Sequence, residues 1–66
     1  MPYINVRIVK GASNEQKEQV IKEITDTLVR VLGKNPASTF VVIDEVEATN
    51  WGKGGETIAN INNKLQ

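Results

Sequence analysis

At 66 residues, with eight Lys plus Arg set against eight Asp plus Glu and 39% hydrophobic residues, the chain has room for one domain (residues 1–66) with a thin core. It has no Cys and no His, which excludes disulfides and disfavours a structural zinc or other metal site; self-association remains as the stabilising device, and balanced charge points to no nucleic-acid or membrane partner. No apolar stretch follows a basic start, since Arg7 and Lys10 interrupt the first segment, and a soluble, cytoplasmic protein is expected, in keeping with the missing cysteines.

Met1-Pro2 comes first. While Met1 is attached, the Pro2 nitrogen is an amide without a hydrogen; once Met1 is removed, it becomes a secondary amine with a lone pair. Proton chemistry at neutral pH needs a base whose pKa lies near the working pH. α-Amino groups titrate at about 7.7 to 8.0, and an apolar pocket lowers the value by disfavouring the cation. With His and Cys absent, Pro2 is the candidate catalytic group. Proline at the second position also eases methionine removal without any chemistry, so the pair alone does not identify a base.

Residues Tyr3 to Val9 alternate, with Ile4, Val6 and Ile8 on one face and Tyr3, Asn5, Arg7 and Val9 on the other. This is the pattern of a half-buried strand whose apolar set faces a helix. After Lys10-Gly11-Ala12, Ser13 reads as a helix N-cap, with Gln16 completing a capping box and Glu15 placed favourably for the helix dipole. From Asn14 to Leu32 the residues Val20, Ile21, Ile24, Leu28, Val31 and Leu32 recur at helical spacing, with charged residues on the other face. Glu18 and Lys22 are expected to pair at i,i+4. Gly33 stops the helix, and Asn35-Pro36 prevents its resumption.

Thr39 to Val46 is dense in β-branched and aromatic residues and reads as a second strand. It is apolar on both sides, so one face is expected on the helix and the other against another subunit. Strand, helix and strand make a β-α-β unit with parallel strands and a right-handed crossover. The open edges and bare face of such a unit predict edge pairing into a four-stranded sheet and then face-to-face assembly.

Glu47 to Asn50 is a polar connection, and Trp51-Gly52-Lys53-Gly54-Gly55 predicts a tight turn or C-terminal β-hairpin. Its glycines do not follow phosphate-loop spacing. The chain's one Trp, Trp51, reads equally as an interface anchor or a pocket wall. The tail from Thr57 to Gln66, polar apart from Ile58, Ala59, Ile61 and Leu65, is expected to pack on a neighbouring subunit.

Four stretches together, MPYINVRIV, SNEQKE, IDEV and WGKGGE, resemble the 4-oxalocrotonate tautomerase family, and in particular its small DmpI-like branch. The resemblance spans nearly the whole chain. It implies an α/β (α+β) fold made of a β-α-β unit with a C-terminal hairpin, assembled as a homohexamer, a trimer of dimers. It also implies a cofactor-independent isomerase whose amino-terminal proline, here Pro2, moves a proton on a small unsaturated keto or enol acid such as 2-hydroxymuconate. The family's aromatic pocket residue falls at Trp51, where an indole would help keep the site dry. Family members carry an arginine just after the first strand's glycine and another early in the second strand to hold substrate carboxylates. Those positions are Ala12 and Phe40 here, neither able to grip a carboxylate. Trp51 and Phe40 are expected instead to line an apolar substrate pocket at a subunit interface. Arg7, Lys10 and Lys53 are candidates to supply charge, although strand parity turns Arg7 away from the Ile4 face. The same fold with altered chemistry (hydration, dehalogenation or decarboxylation) and a non-catalytic oligomeric module are the competing readings.

Overall fold

The computed structural model describes residues 1–64; Leu65, read above as part of the tail's apolar set, lies outside the described residues. Strand β1 (Tyr3–Val9) leads into helix α1 (Asn14–Leu32), and strand β2 (Phe40–Val46) returns parallel to β1 in a register that pairs Tyr3 with Phe40 and Val9 with Val46. The ladder is extended at both ends: the Phe40 amide donates to the Pro2 carbonyl at 3.0 Å, and the Lys10 amide donates to the Val46 carbonyl at 2.8 Å. This is the expected β-α-β unit, with β2 starting one residue later than the sequence suggests.

The bounds of α1 follow from its caps. The Ser13 hydroxyl accepts from the Gln16 amide at 3.1 Å, and the Gln16 side chain accepts from the Ser13 amide at 2.9 Å. At the other end Gly33 adopts φ 65°, a left-handed conformation available to glycine at no steric cost, and its amide donates to Val29 at 3.0 Å. Asn35 caps a short 3-10 turn (Pro36–Ser38) that leads into β2.

Two ion-pair and packing details differ from expectation. Lys22 bonds Asp26 at 2.9 Å rather than Glu18. Both acids lie one turn away, and exposed pairs on a helix are worth only about 0.3–0.5 kcal/mol, so the choice between them is nearly free of cost. Ile24 and Leu28 are half-buried as expected, whereas Val31 and Leu32 are exposed. The reason is size. Nineteen helical residues run about 28 Å, against roughly 23 Å for a seven-residue strand, and two strands about 4.8 Å apart are narrower than a helix about 10 Å across. The sheet of one chain is too short and too narrow to cover the stripe.

The C-terminal module comprises a 3-10 turn (Ala48–Asn50), strands β3 (Gly52–Lys53) and β4 (Glu56–Thr57), and helix α2 (Ile58–Lys64). Gly54 and Gly55 both have positive φ, 60° and 85°, as a two-residue hairpin turn requires. Helix α2 is an addition to the sequence reading. It packs on the 3-10 turn and β4 of its own chain, and the Thr57 hydroxyl caps it by accepting from the Asn60 amide at 3.1 Å.

No described residue is fully buried, and the chain measures 45 × 23 × 16 Å. Its radius of gyration is 15.4 Å, where a compact 66-residue domain would have about 11 Å. Helix α1 packs on β2, on the side of the sheet that carries the half-buried Ile4, Val6, Ile8, Val41 and Ile43. The opposite face leaves Tyr3, Phe40 and Val42 exposed at 63%, 50% and 44%.

Candidate active site

Pro2 stands at the start of the parallel pair. Backbone pairing to Phe40 fixes its carbonyl, and the residue is half-buried. Ahead of it Met1 is 89% exposed. Phe40 lies at the same end of the strands, opposite Tyr3 in register. Strand alternation sends the Phe40 ring to the open sheet face with Tyr3, whereas Pro2 shares the parity of Ile4 on the helix side. One chain therefore joins the two backbones without turning both side chains into one pocket.

Trp51 lies at the other end. From Phe40 to Val46 the strand advances about 20 Å, and Trp51 follows five residues later at the base of the hairpin, where its carbonyl accepts from the Ile58 amide at 2.8 Å. Ala12 is also at that far end, next to Gly11 and beyond the Lys10 to Val46 bond. Among the described residues a single chain forms no pocket.

The cations proposed as substitutes for arginine separate by their partners. Arg7 bonds Asp44 at 3.0 Å across the open sheet face, and Lys10 bonds Glu47 at 3.1 Å. Lys53 has no carboxylate partner among the described residues. Its cross-strand neighbour Glu56 is taken by Lys64 at 2.6 Å.

A cluster that sequence reasoning missed sits where β2 meets the start of α1. Lys17 forms an ion pair with Glu45, both half-buried, and the Gly11 amide approaches the same carboxylate at 3.5 Å. The Lys17 hydrogen bond, with help from Gly11, holds the Glu45 carboxyl below its ordinary range despite partial burial. The available signal was parity: Glu45 shares the helix-facing side with Val41 and Ile43, and an acid there needs a partner from the helix. Among the described residues no cluster of three or more acidic, His or Cys side chains offers a metal site, and no helix is long and apolar enough to cross a membrane.

Comparison with known proteins matches residues 2–61 to the model of the tautomerase enzyme family. A probable tautomerase of Dickeya dadantii is 58% identical over 59 residues, 88% of either chain. The crystal structure of DmpI from Helicobacter pylori superimposes with a TM-score of 0.84 at 45% identity, covering 94% of this chain and 97% of that one. A 4-oxalocrotonate tautomerase isozyme of Methylibium petroleiphilum gives a TM-score of 0.90 at 27% identity, covering 96% and 98%. Matched along nearly its whole length in sequence and in fold, this chain belongs to the tautomerase family, a family of isomerases.

Proposed function

We propose that the chain is a cofactor-independent tautomerase in which Pro2, freed of Met1, is the general base and then the general acid. The observation that carries this reading is Pro2 itself: a backbone-anchored residue at a strand start, preceded by the exposed Met1. The substrate class is a small conjugated enol or keto acid, such as a 2-hydroxymuconate-like dienol. The lone pair takes the enol O–H proton, the electrons of that bond form the ketone, and the double bonds shift along the chain. The pyrrolidinium then gives its proton to the far carbon, so nothing is consumed and the amine is regenerated.

The site belongs to an assembly. Two chains related by a two-fold axis and paired antiparallel along a free strand edge would set the strand starts of one, with Pro2, beside the strand ends of the other, with Trp51. Three such dimers meeting through the open sheet faces would make a homohexamer, with Phe40 reaching a Pro2 site from a neighbouring copy. The exposed Tyr3, Phe40 and Val42 support this reading, as does the resemblance noted from sequence.

The test is the intact mass of natively processed protein, followed on the same sample by an ultraviolet assay of dienol ketonisation. Loss of Met1 with turnover is expected. Positioned proton transfer contributes roughly 100-fold to 10,000-fold. Pro2→Ala keeps a primary amine, so its loss in kcat/KM is expected at the lower end, about 100-fold, with assembly unchanged. An unaltered rate in Pro2→Ala would remove Pro2 from the mechanism. A second reading, the same amine used for hydration, dehalogenation or decarboxylation, is favoured by Ala12 and Phe40 at the arginine positions. Product analysis separates the two.

A further inference from the structure

Binding an acid calls for a cation, and the chain has eight. Among the described residues five are engaged by carboxylates: Arg7 by Asp44, Lys10 by Glu47, Lys17 by Glu45, Lys22 by Asp26 and Lys64 by Glu56. Of the other three, Arg30 lies one turn beyond Asp26 on the outer row of α1 that also carries Lys22, away from the sheet. Lys34 follows the Gly33 cap, its amide bonded to Leu28 at 3.3 Å. Lys53 stands on β3.

The hairpin holds Lys53 in a defined relation to Trp51. Trp51 is extended, with φ −118° and ψ 119°, and Gly52 and Lys53 continue in strand conformation. Residues two apart on an extended segment share a face, so the ammonium of Lys53 rises on the same side as the indole. Glu56 faces Lys53 directly across the hairpin and would otherwise neutralise it, but its carboxylate is bonded at 2.6 Å to Lys64 from α2. Among the described residues helix α2 thus leaves a charge uncommitted on the side of the hairpin that carries the indole, a pairing suited to a flat conjugated stem ending in one carboxylate.

We propose that Lys53, carried beside Trp51 into the Pro2 site of a neighbouring copy, is the group that holds the substrate carboxylate, and that the enzyme selects conjugated enol acids bearing a single carboxylate. The inference rests on the proline-base reading and on the assembly that joins Trp51 to Pro2. It differs from that reading in assigning the anchor and the charge of the substrate.

Trp51, the chain's one tryptophan, supplies a readout independent of turnover. Sorbate, a conjugated monocarboxylate without the reactive hydroxyl, is titrated against its fluorescence, with sorbamide as the uncharged counterpart. Hydrogen bonds to charged groups are worth enough to change affinity about tenfold or more. Sorbate is expected to bind wild type and Pro2→Ala alike, at least tenfold more weakly to Lys53→Gln, and nearly normally to Lys53→Arg. Sorbamide binding is expected to be unchanged by Lys53→Gln, which also shows that the variant is folded. Undiminished sorbate binding in Lys53→Gln, or a loss seen in Lys34→Gln instead, overturns the proposal. Full turnover in Pro2→Ala with Lys53-dependent sorbate binding intact would remove the proline base while leaving the carboxylate anchor standing.

Discussion

Glu45 occupies a position where the strand's parity calls for an apolar residue, and the fold accommodates it through Lys17 and Gly11. A carboxyl whose folded pKa is depressed stabilises the native state at pH above its unfolded value, and that contribution disappears as pH falls through the folded value. Glu45 ordinarily titrates near 4.5 and lies lower here, so the contribution is present at neutral pH and is lost below that range. Glu45→Gln is expected to be less stable than wild type at pH 7, with the difference shrinking toward about pH 3. Urea unfolding at the two pH values checks this, and equal losses at both would show that Glu45 acts through packing instead. Parity marks Glu45 as an acid in need of a partner, but that Lys17 is the partner could not be read from the sequence, because the two are far apart in the chain. Glu18–Lys22 was readable and did not form, because exposed partners one turn away on either side are nearly equivalent.

At the scale of elements, legibility follows locality. The limits of α1 are those the sequence gives away, since Ser13, Gln16 and Gly33 act within one turn of themselves. Ser13→Ala removes the hydroxyl acceptor of the cap and is expected to cost about 1 kcal/mol. Gly33→Ala forces a Cβ into a left-handed conformation and is expected to cost about as much. Both are read from denaturation midpoints at one fixed protein concentration, and a neutral Gly33→Ala would mean that the helix end rearranges. Helix α2 escaped notice because its composition is polar, with three asparagines in seven residues. Its one local signal was Thr57 placed three residues ahead of Asn60, a hydroxyl at capping distance. The hairpin was legible from Gly54-Gly55. Its functional consequence was not, because the commitment of Glu56 to Lys64 depends on α2.

At the scale of the whole molecule, the individual chain resembles a cut section of a larger core: the helix overhangs its sheet, and the second sheet face presents Tyr3, Phe40 and Val42 to solvent. The candidate site has the same incompleteness, with Pro2 and Trp51 separated by the length of a strand; the sequence reading joins them only across a subunit interface. Val42 lies on the open face beside Asn5 in register. If that face were solvated in the working protein, Val42→Asp would be an ordinary surface change, within about 0.5 kcal/mol. If copies meet there, each subunit would bury an unpaired carboxylate, at a cost of several kcal/mol per ion. The expected outcome is loss of the oligomer together with loss of far-ultraviolet helix signal, since a chain with no fully buried residue among those described cannot stand alone. Gln19→Asp on the exposed face of α1 serves as the matched control and is expected to leave both unchanged. Light scattering gives the mass and circular dichroism the fold; a Val42→Asp protein of wild-type mass and wild-type melting temperature would show that the open sheet face is not where copies meet.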